Sequence, residues 1–154
     1  MTTTTHQRSV HIDAPVETVF DYVQEPEHFY EAMAMTQKHP EPGASSVLTG
    51  VTRTPEGAVS SYSWRGAHDL FGFHLEAVIT REEFVPNERI VDHSSTGPVW
   101  TYTFEPDPTG TSLSLAAELT TRIPLVDKAV DRVAWGGDRD IDTMLGHFKR
   151  AIET

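Results

Sequence analysis

Cysteine is absent from the 154 residues, which excludes disulfides, thiolate nucleophiles and Cys-based zinc sites. No stretch approaches the ~20 apolar residues that a membrane span requires, and the opening MTTTTHQRS lacks the apolar core of a secretory signal. Basic residues are few: 12 Lys plus Arg stand against 23 Asp plus Glu. The resulting formal charge of −11 would repel a nucleic-acid duplex or an anionic membrane surface at long range. These absences lead to the expectation of an acidic, cytoplasmic protein with no nucleic-acid partner and no membrane span. The acidic excess is spread along the chain, reads as a solubilising surface and identifies no substrate.

Catalytic signatures are also missing. The segment GASSVLTG lacks the Lys of a phosphate-binding loop, and neither G-x-G-x-x-G nor G-x-S-x-G occurs. Eight histidines are present, but His68, His74 and His93 show no H-x-H or H-E-x-x-H spacing. No metal, no nucleotide cofactor and no covalent catalysis are therefore expected.

What is present begins with a change of hydrophobic period inside HQRSVHIDAPVETVFDYV, residues 6–23. Val10 and Ile12 alternate with polar Ser9, His11 and Asp13, as in a half-buried strand. Val16, Val19, Phe20 and Val23 then recur at helical spacing, so a strand hands over to a helix. Asp13 is expected at the cap, Pro15 in the first turn and Glu17 facing the positive end of the helix dipole. EPEHFYEAM follows as a second short helix, with Phe29 and Met33 on one face. Residues 35–45 read as a loop, VLTGVTRT as a strand, and PEG at 55–57 as a turn.

Five further strands are expected at about 58–68, 72–84, 88–96, 98–105 and 111–121, joined by connectors short enough to favour antiparallel neighbours. Alternation gives inner faces of Tyr62, Trp64 and His68, then Phe73, Leu75, Ala77 and Ile79. The next two are Trp100, Tyr102 and Phe104, and Leu113, Leu115, Ala117 and Leu119. Residues 124–152 read as one closing helix from Pro124, with Ile141, Met144 and Phe148 in its apolar stripe. Gly136-Gly137 in its middle would cost roughly 1–2 kcal/mol relative to alanine, and the pair leaves open whether Trp135 turns inward. The length fits one domain over 1–154 burying roughly 70% of the unfolded chain's surface.

Strand, two short helices, a meander and a long C-terminal helix is the order of the helix-grip fold. VHIDAPVETVFDYVQEPEHF, ITREEFVPNERIVDHSSTGP, TYTFEPDPTGTSLSL and DIDTMLGHFKRAIE resemble the START-related superfamily SRPBCC, and within it the polyketide cyclase/dehydrase-like group. The resemblance implies an α+β fold, a curved antiparallel sheet of about seven strands wrapped around the last helix. It further implies a cavity between them for a hydrophobic or aromatic small molecule. Members include polyketide cyclases and aromatases, lipid and quinone binders, and co-chaperone modules, so the fold does not settle the function.

For such a cavity the lining candidates are His28, Trp64, Phe73, Leu75, Trp100, Tyr102, Leu115, Gly137, Ile141 and Met144. The inward Tyr and Trp residues suit either a packed core or a ligand, since a buried O–H or N–H needs a partner in both cases. Tyr62, His68 and Asp92 are the candidates for proton transfer. Asp92 shares the parity of Ile90, and burial there would raise its pKa towards that of a general base. A one-residue bulge would bury His93 in its place. Three functions stay open: cofactor-free cyclisation, aromatisation or dehydration of a polyketide-like substrate; binding of a lipid, quinone or other metabolite without turnover; and protein interaction of the co-chaperone kind. A monomer or a homodimer is expected.

Overall fold

The computed structural model describes residues 2–35, 47–70, 73–95, 98–121 and 138–154. Its elements are β1 (Thr2–Ile12), α1 (Val16–Val23), α2 (Pro26–Ala34), β2 (Val47–Arg53), β3 (Val59–Leu70), β4 (Phe73–Val85), β5 (Arg89–Ser94), β6 (Val99–Asp107), β7 (Gly110–Thr121) and α3 (Asp138–Glu153). The strands form one antiparallel sheet in the order β1-β7-β6-β5-β4-β3-β2. From β2 to β7 it is a meander of consecutive neighbours, and β1 closes on the last strand. This is the α+β, helix-grip-like arrangement expected from the order of elements.

Local chemistry makes the turns. Gly57 supplies a left-handed φ of 90° in the PEG turn, and Asn87 adopts φ 63° between β4 and β5. Gly110 opens β7 where a Cβ would fall 2.2 Å from the Ile12 carbonyl oxygen, so only glycine lets the end of β1 approach. The start of α1 departs from expectation. Pro15, not Asp13, holds the cap position, and its carbonyl accepts from the Thr18 and Val19 amides at 3.0 and 3.1 Å. Asp13 lies two residues before that position. Its carboxylate instead meets His11 Nε2 at 2.9 Å, while its own N–H donates to Glu153 at 3.1 Å.

Among the described residues the core lies between the inner sheet face and helices α1, α2 and α3. Trp100, Tyr102 and Phe104 on β6 alternate inward opposite Ala117, Leu115 and Leu113 on β7. On α1, Val19, Phe20 and Val23 are buried, with the Phe20 ring 5.2 Å from Phe84 and 5.1 Å from Phe104. On α3, Ile141, Met144, Leu145 and Phe148 form the apolar stripe that helical spacing predicts. The expected earlier part of the closing helix, residues 124–137 with Pro124, Trp135 and Gly136-Gly137, lies outside the described residues.

A polar seam ties α3 along β1. His6 Nδ1 is 3.1 Å from Asp138, Arg8 Nη2 3.2 Å from Asp142, and Lys149 Nζ donates to the His11 carbonyl at 2.7 Å. Strand and helix therefore run in the same direction, ending where the Asp13 amide meets Glu153. No described helix is long and apolar enough to cross a membrane.

Candidate functional site

Among the described residues of this apolar core sits a buried ion pair. Arg81 on β4 lies directly opposite Asp92 on β5, and its Nε and Nη2 reach the two carboxylate oxygens at 2.9 and 3.1 Å. The side chains are 3% and 1% exposed. Such a pair offsets its desolvation only with good geometry, and the fork-to-fork arrangement supplies it. Removing either partner alone would strand a buried charge, a cost of about 3–5 kcal/mol. The third arm of the guanidinium, Nη1, donates to the Gln24 carbonyl at 3.0 Å. Gln24 is the C-cap of α1, so the cation also meets the negative end of that short helix.

Two tyrosines complete the cluster. Tyr62 on β3 points its hydroxyl at Asp92 Oδ2 over 3.5 Å, a long and weak hydrogen bond. The hydroxyl of Tyr102 on β6 is buried and has no hydrogen-bond partner among the described residues. Burial first, and then the nearby charge of Asp92, push both hydroxyls well above the ordinary tyrosine value, so both remain protonated. For Arg81 burial opposes the charge. The hydrogen bonds and attraction of Asp92 more than offset this and raise its pKa above the ordinary value. Around the cluster the Phe29 ring stands edge-on to Tyr62 at 6.0 Å and to Trp100 at 5.4 Å.

The structure therefore gathers Tyr62, Asp92, Trp100, Tyr102, Leu115, Ile141 and Met144 into one buried core. The open question of register is answered: Ile90, Asp92 and Ser94 face inward, and His93 is exposed. His28 stands elsewhere, at the junction of α1 and α2. Its ring stacks on Tyr22 at 3.6 Å, and its Nδ1–H donates to the Tyr22 carbonyl at 2.6 Å. The side chains of Trp64, His68, Phe73 and Leu75, and the whole of Gly137, lie outside the described residues. Arg81 is the residue that the sequence reading missed. It shares the parity of Ile79, so the inner-face pattern of β4 pointed to it, but a cation does not announce itself as an inward residue. Among the described residues no group of three or more His, Asp or Glu is placed to hold a metal ion.

The architecture and buried polar cluster define an α+β domain whose sheet holds a helix over a mostly apolar interior. A family model described as "Polyketide cyclase / dehydrase and lipid transport" matches residues 3–153, and the chain belongs to that family. Solved structures carry the same fold at low identity. A protein of Thermus thermophilus superposes with TM-score 0.63 at 17% identity, covering 97% of both chains. A Mycobacterium smegmatis protein reaches TM-score 0.63 at 11% identity over 96% of this chain and 90% of its own. A polyketide-cyclase-like protein of Corynebacterium glutamicum reaches 0.56 at 18% identity, over 99% and 90%. No curated protein matches the chain.

Proposed function

We propose that this protein binds a hydrophobic small molecule between the inner sheet face and α3, without a cofactor, as a cytoplasmic monomer or homodimer. The observation that carries the reading is the Tyr102 hydroxyl: buried, protonated and unpartnered among the described residues, beside an Arg81–Asp92 pair in an otherwise apolar core. A buried donor left unmade costs about 1–3 kcal/mol, and such a cost is commonly carried where a ligand supplies the partner. The family description, with its lipid-transport component, supports the same reading. Native mass spectrometry of protein purified from its own host should reveal a bound metabolite that organic extraction removes. Bare protein that also fails to take up the neutral dye Nile red would refute it.

A second reading adds turnover of the cyclase, aromatase or dehydratase kind. It is favoured by the contact of the Tyr62 hydroxyl with Asp92, which would let those two exchange protons with an enolising substrate; His68, whose side chain lies outside the described residues, is the third candidate from the sequence. Product formation from a polyketide-like substrate that survives Tyr62→Phe, His68→Ala and Asp92→Asn, each made separately, would exclude it.

A further inference from the structure

We infer that α2 is held on α3 by a proton-operated latch. With His147 protonated, its Nε2–H closes on the Glu31 carboxylate and clamps the two helices together; with His147 neutral, the end of α2 is released to lift from the core. The latch works independently of what the interior binds.

The geometry of the contact argues for it. His147 lies on α3 and Glu31 on α2, with Nε2 standing 3.7 Å from the carboxylate. That separation is too long for a hydrogen bond and within the range of an ion pair. The Nε2 atom is buried without a hydrogen-bond partner among the described residues, whereas the Glu31 side chain is about half exposed. A neutral imidazole gains nothing here. Protonated on Nδ1 it turns a lone pair towards the carboxylate, and protonated on Nε2 it holds a donor short of its acceptor. An imidazolium carries a donor on both nitrogens, and the surface-exposed Glu31 has room to close the remaining ~0.9 Å to a charge-assisted bond of about 2.8 Å.

The other charged and titratable groups around His147 leave the decision to this pair. From α1, Tyr22 stands edge-on to Phe148 with centroids 6.2 Å apart; burial and then Glu31 raise its pKa above the ordinary value, so it stays neutral. His28 of α2 stacks on Tyr22 and spends its Nδ1 on the Tyr22 carbonyl. On α3 itself Arg150, whose guanidinium lies beside Gly146, and Asp140, two turns before His147 on the same side of the helix, carry opposite charges. Asp142 and Lys149 are engaged on the β1 side, with Arg8 and with the His11 carbonyl and Glu153.

Release has a defined direction. The start of α2 is pinned to the sheet, since Arg81 holds the Gln24 carbonyl and Arg53 Nη2 meets Glu25, each at 3.0 Å. Motion therefore falls on the end that carries Glu31, with the corner at Gln24 and Glu25 as its hinge. The inner side of α2 carries buried Phe29 and Ala32, and the Phe29 ring covers Tyr62 and Trp100 edge-on, so lifting the helix uncovers the core at that point.

Hydrogen exchange of the full chain, followed by NMR at pH 5.5 and 8.0 and corrected for the intrinsic pH dependence of exchange, tests this. Measured against the buried amides of β6, the amides of residues 30–35 should be about fivefold better protected at pH 5.5 than at pH 8.0, the yield of one partly exposed ion pair. Glu31→Gln and His147→Gln should each abolish the difference and leave α2 at both pH values as open as the native chain is at pH 8.0. Equal protection at the two pH values in the native chain, greater protection at pH 8.0, or a difference that survives either substitution would overturn the latch. Should His147→Gln fail to fold by circular dichroism, Glu31→Gln, at a surface position, decides.

Discussion

Deleting one hydroxyl from Tyr102 and one from Tyr62 has opposite expected effects on the ligand-free protein, although both side chains lie in the same core. The Tyr62 O–H reaches Asp92, so Tyr62→Phe removes a weak bond and should cost about 0.5–1 kcal/mol. The Tyr102 O–H has no partner to lose among the described residues, so Tyr102→Phe should leave stability unchanged or raise it by up to about 1 kcal/mol. Urea unfolding of protein stripped of ligand checks the pair. A Tyr102→Phe variant destabilised as much as Tyr62→Phe would mean that the hydroxyl is satisfied after all. At this scale the candidate site was half legible. Alternation placed Tyr62, Trp100 and Tyr102 on inner faces, because period-two patterning is a local property, but it left open whether Asp92 or His93 joins them. That Arg81 would neutralise Asp92 depends on the register of β4 against β5, with a shift between Arg81 and Glu83, and no local pattern carries it.

Among the elements, the connection from β6 to β7 presents a titratable knot with β1. His11 sits between two carboxylates, its Nδ1 2.7 Å from Asp107 and its Nε2 2.9 Å from Asp13. The hydrogen bonds with Asp13 and then Asp107 raise its pKa above the ordinary 6.5. For Asp107, burial works upward, but the Thr109 amide and His11 outweigh it and lower the value below 3.8. The signs define a window. A raised histidine contributes stability that is complete below 6.5 and lost as pH rises through its folded value. A lowered aspartate contributes above 3.8 and loses that contribution as pH falls through its folded value. Both act between about 4 and 6.5. The stability deficit of His11→Gln should thus be largest near pH 5.5 and shrink towards pH 8.5, as read from urea midpoints. A deficit equal at both pH values would refute the assignment. The turns of the meander were legible, because PEG, VPN and PDPTG are turn sequences by their own chemistry, whereas the start of β1 at Thr2 was not, since TTTT carries no apolar alternation. The cap of α1 was not, since Asp13 has the preferred side chain but lies two residues before the cap position, which Pro15 occupies.

At the level of the whole molecule the two open edges of the sheet differ. β1 pairs with β7 over eleven consecutive positions and is tied to α3 by His6, Arg8 and the Lys149 bond to the His11 carbonyl. β2 is seven residues long and its ladder with β3 has two register shifts. Hydrogen exchange should therefore open residues 47–53 well before residues 2–12. Equal or faster exchange in β1 would show that the seam to α3 contributes no protection. The order of elements along the chain followed from the sequence, because each element announces its own period, whereas the pairing of β1 with β7 joins the two ends of the sheet and no local period carries it. The seam did not, since it joins residues more than 130 positions apart.

That seam fixes more than an edge. With β1 and α3 running the same way, Thr2 lies at one end of the strand and Thr154 beside the other, separated by roughly the 35 Å that eleven extended residues span. A tensile load applied between these two residues would act along the β1–β7 ladder, straining its backbone hydrogen bonds together rather than peeling them open in turn. The fold is therefore built to resist pulling between those two points far better than prying at β2.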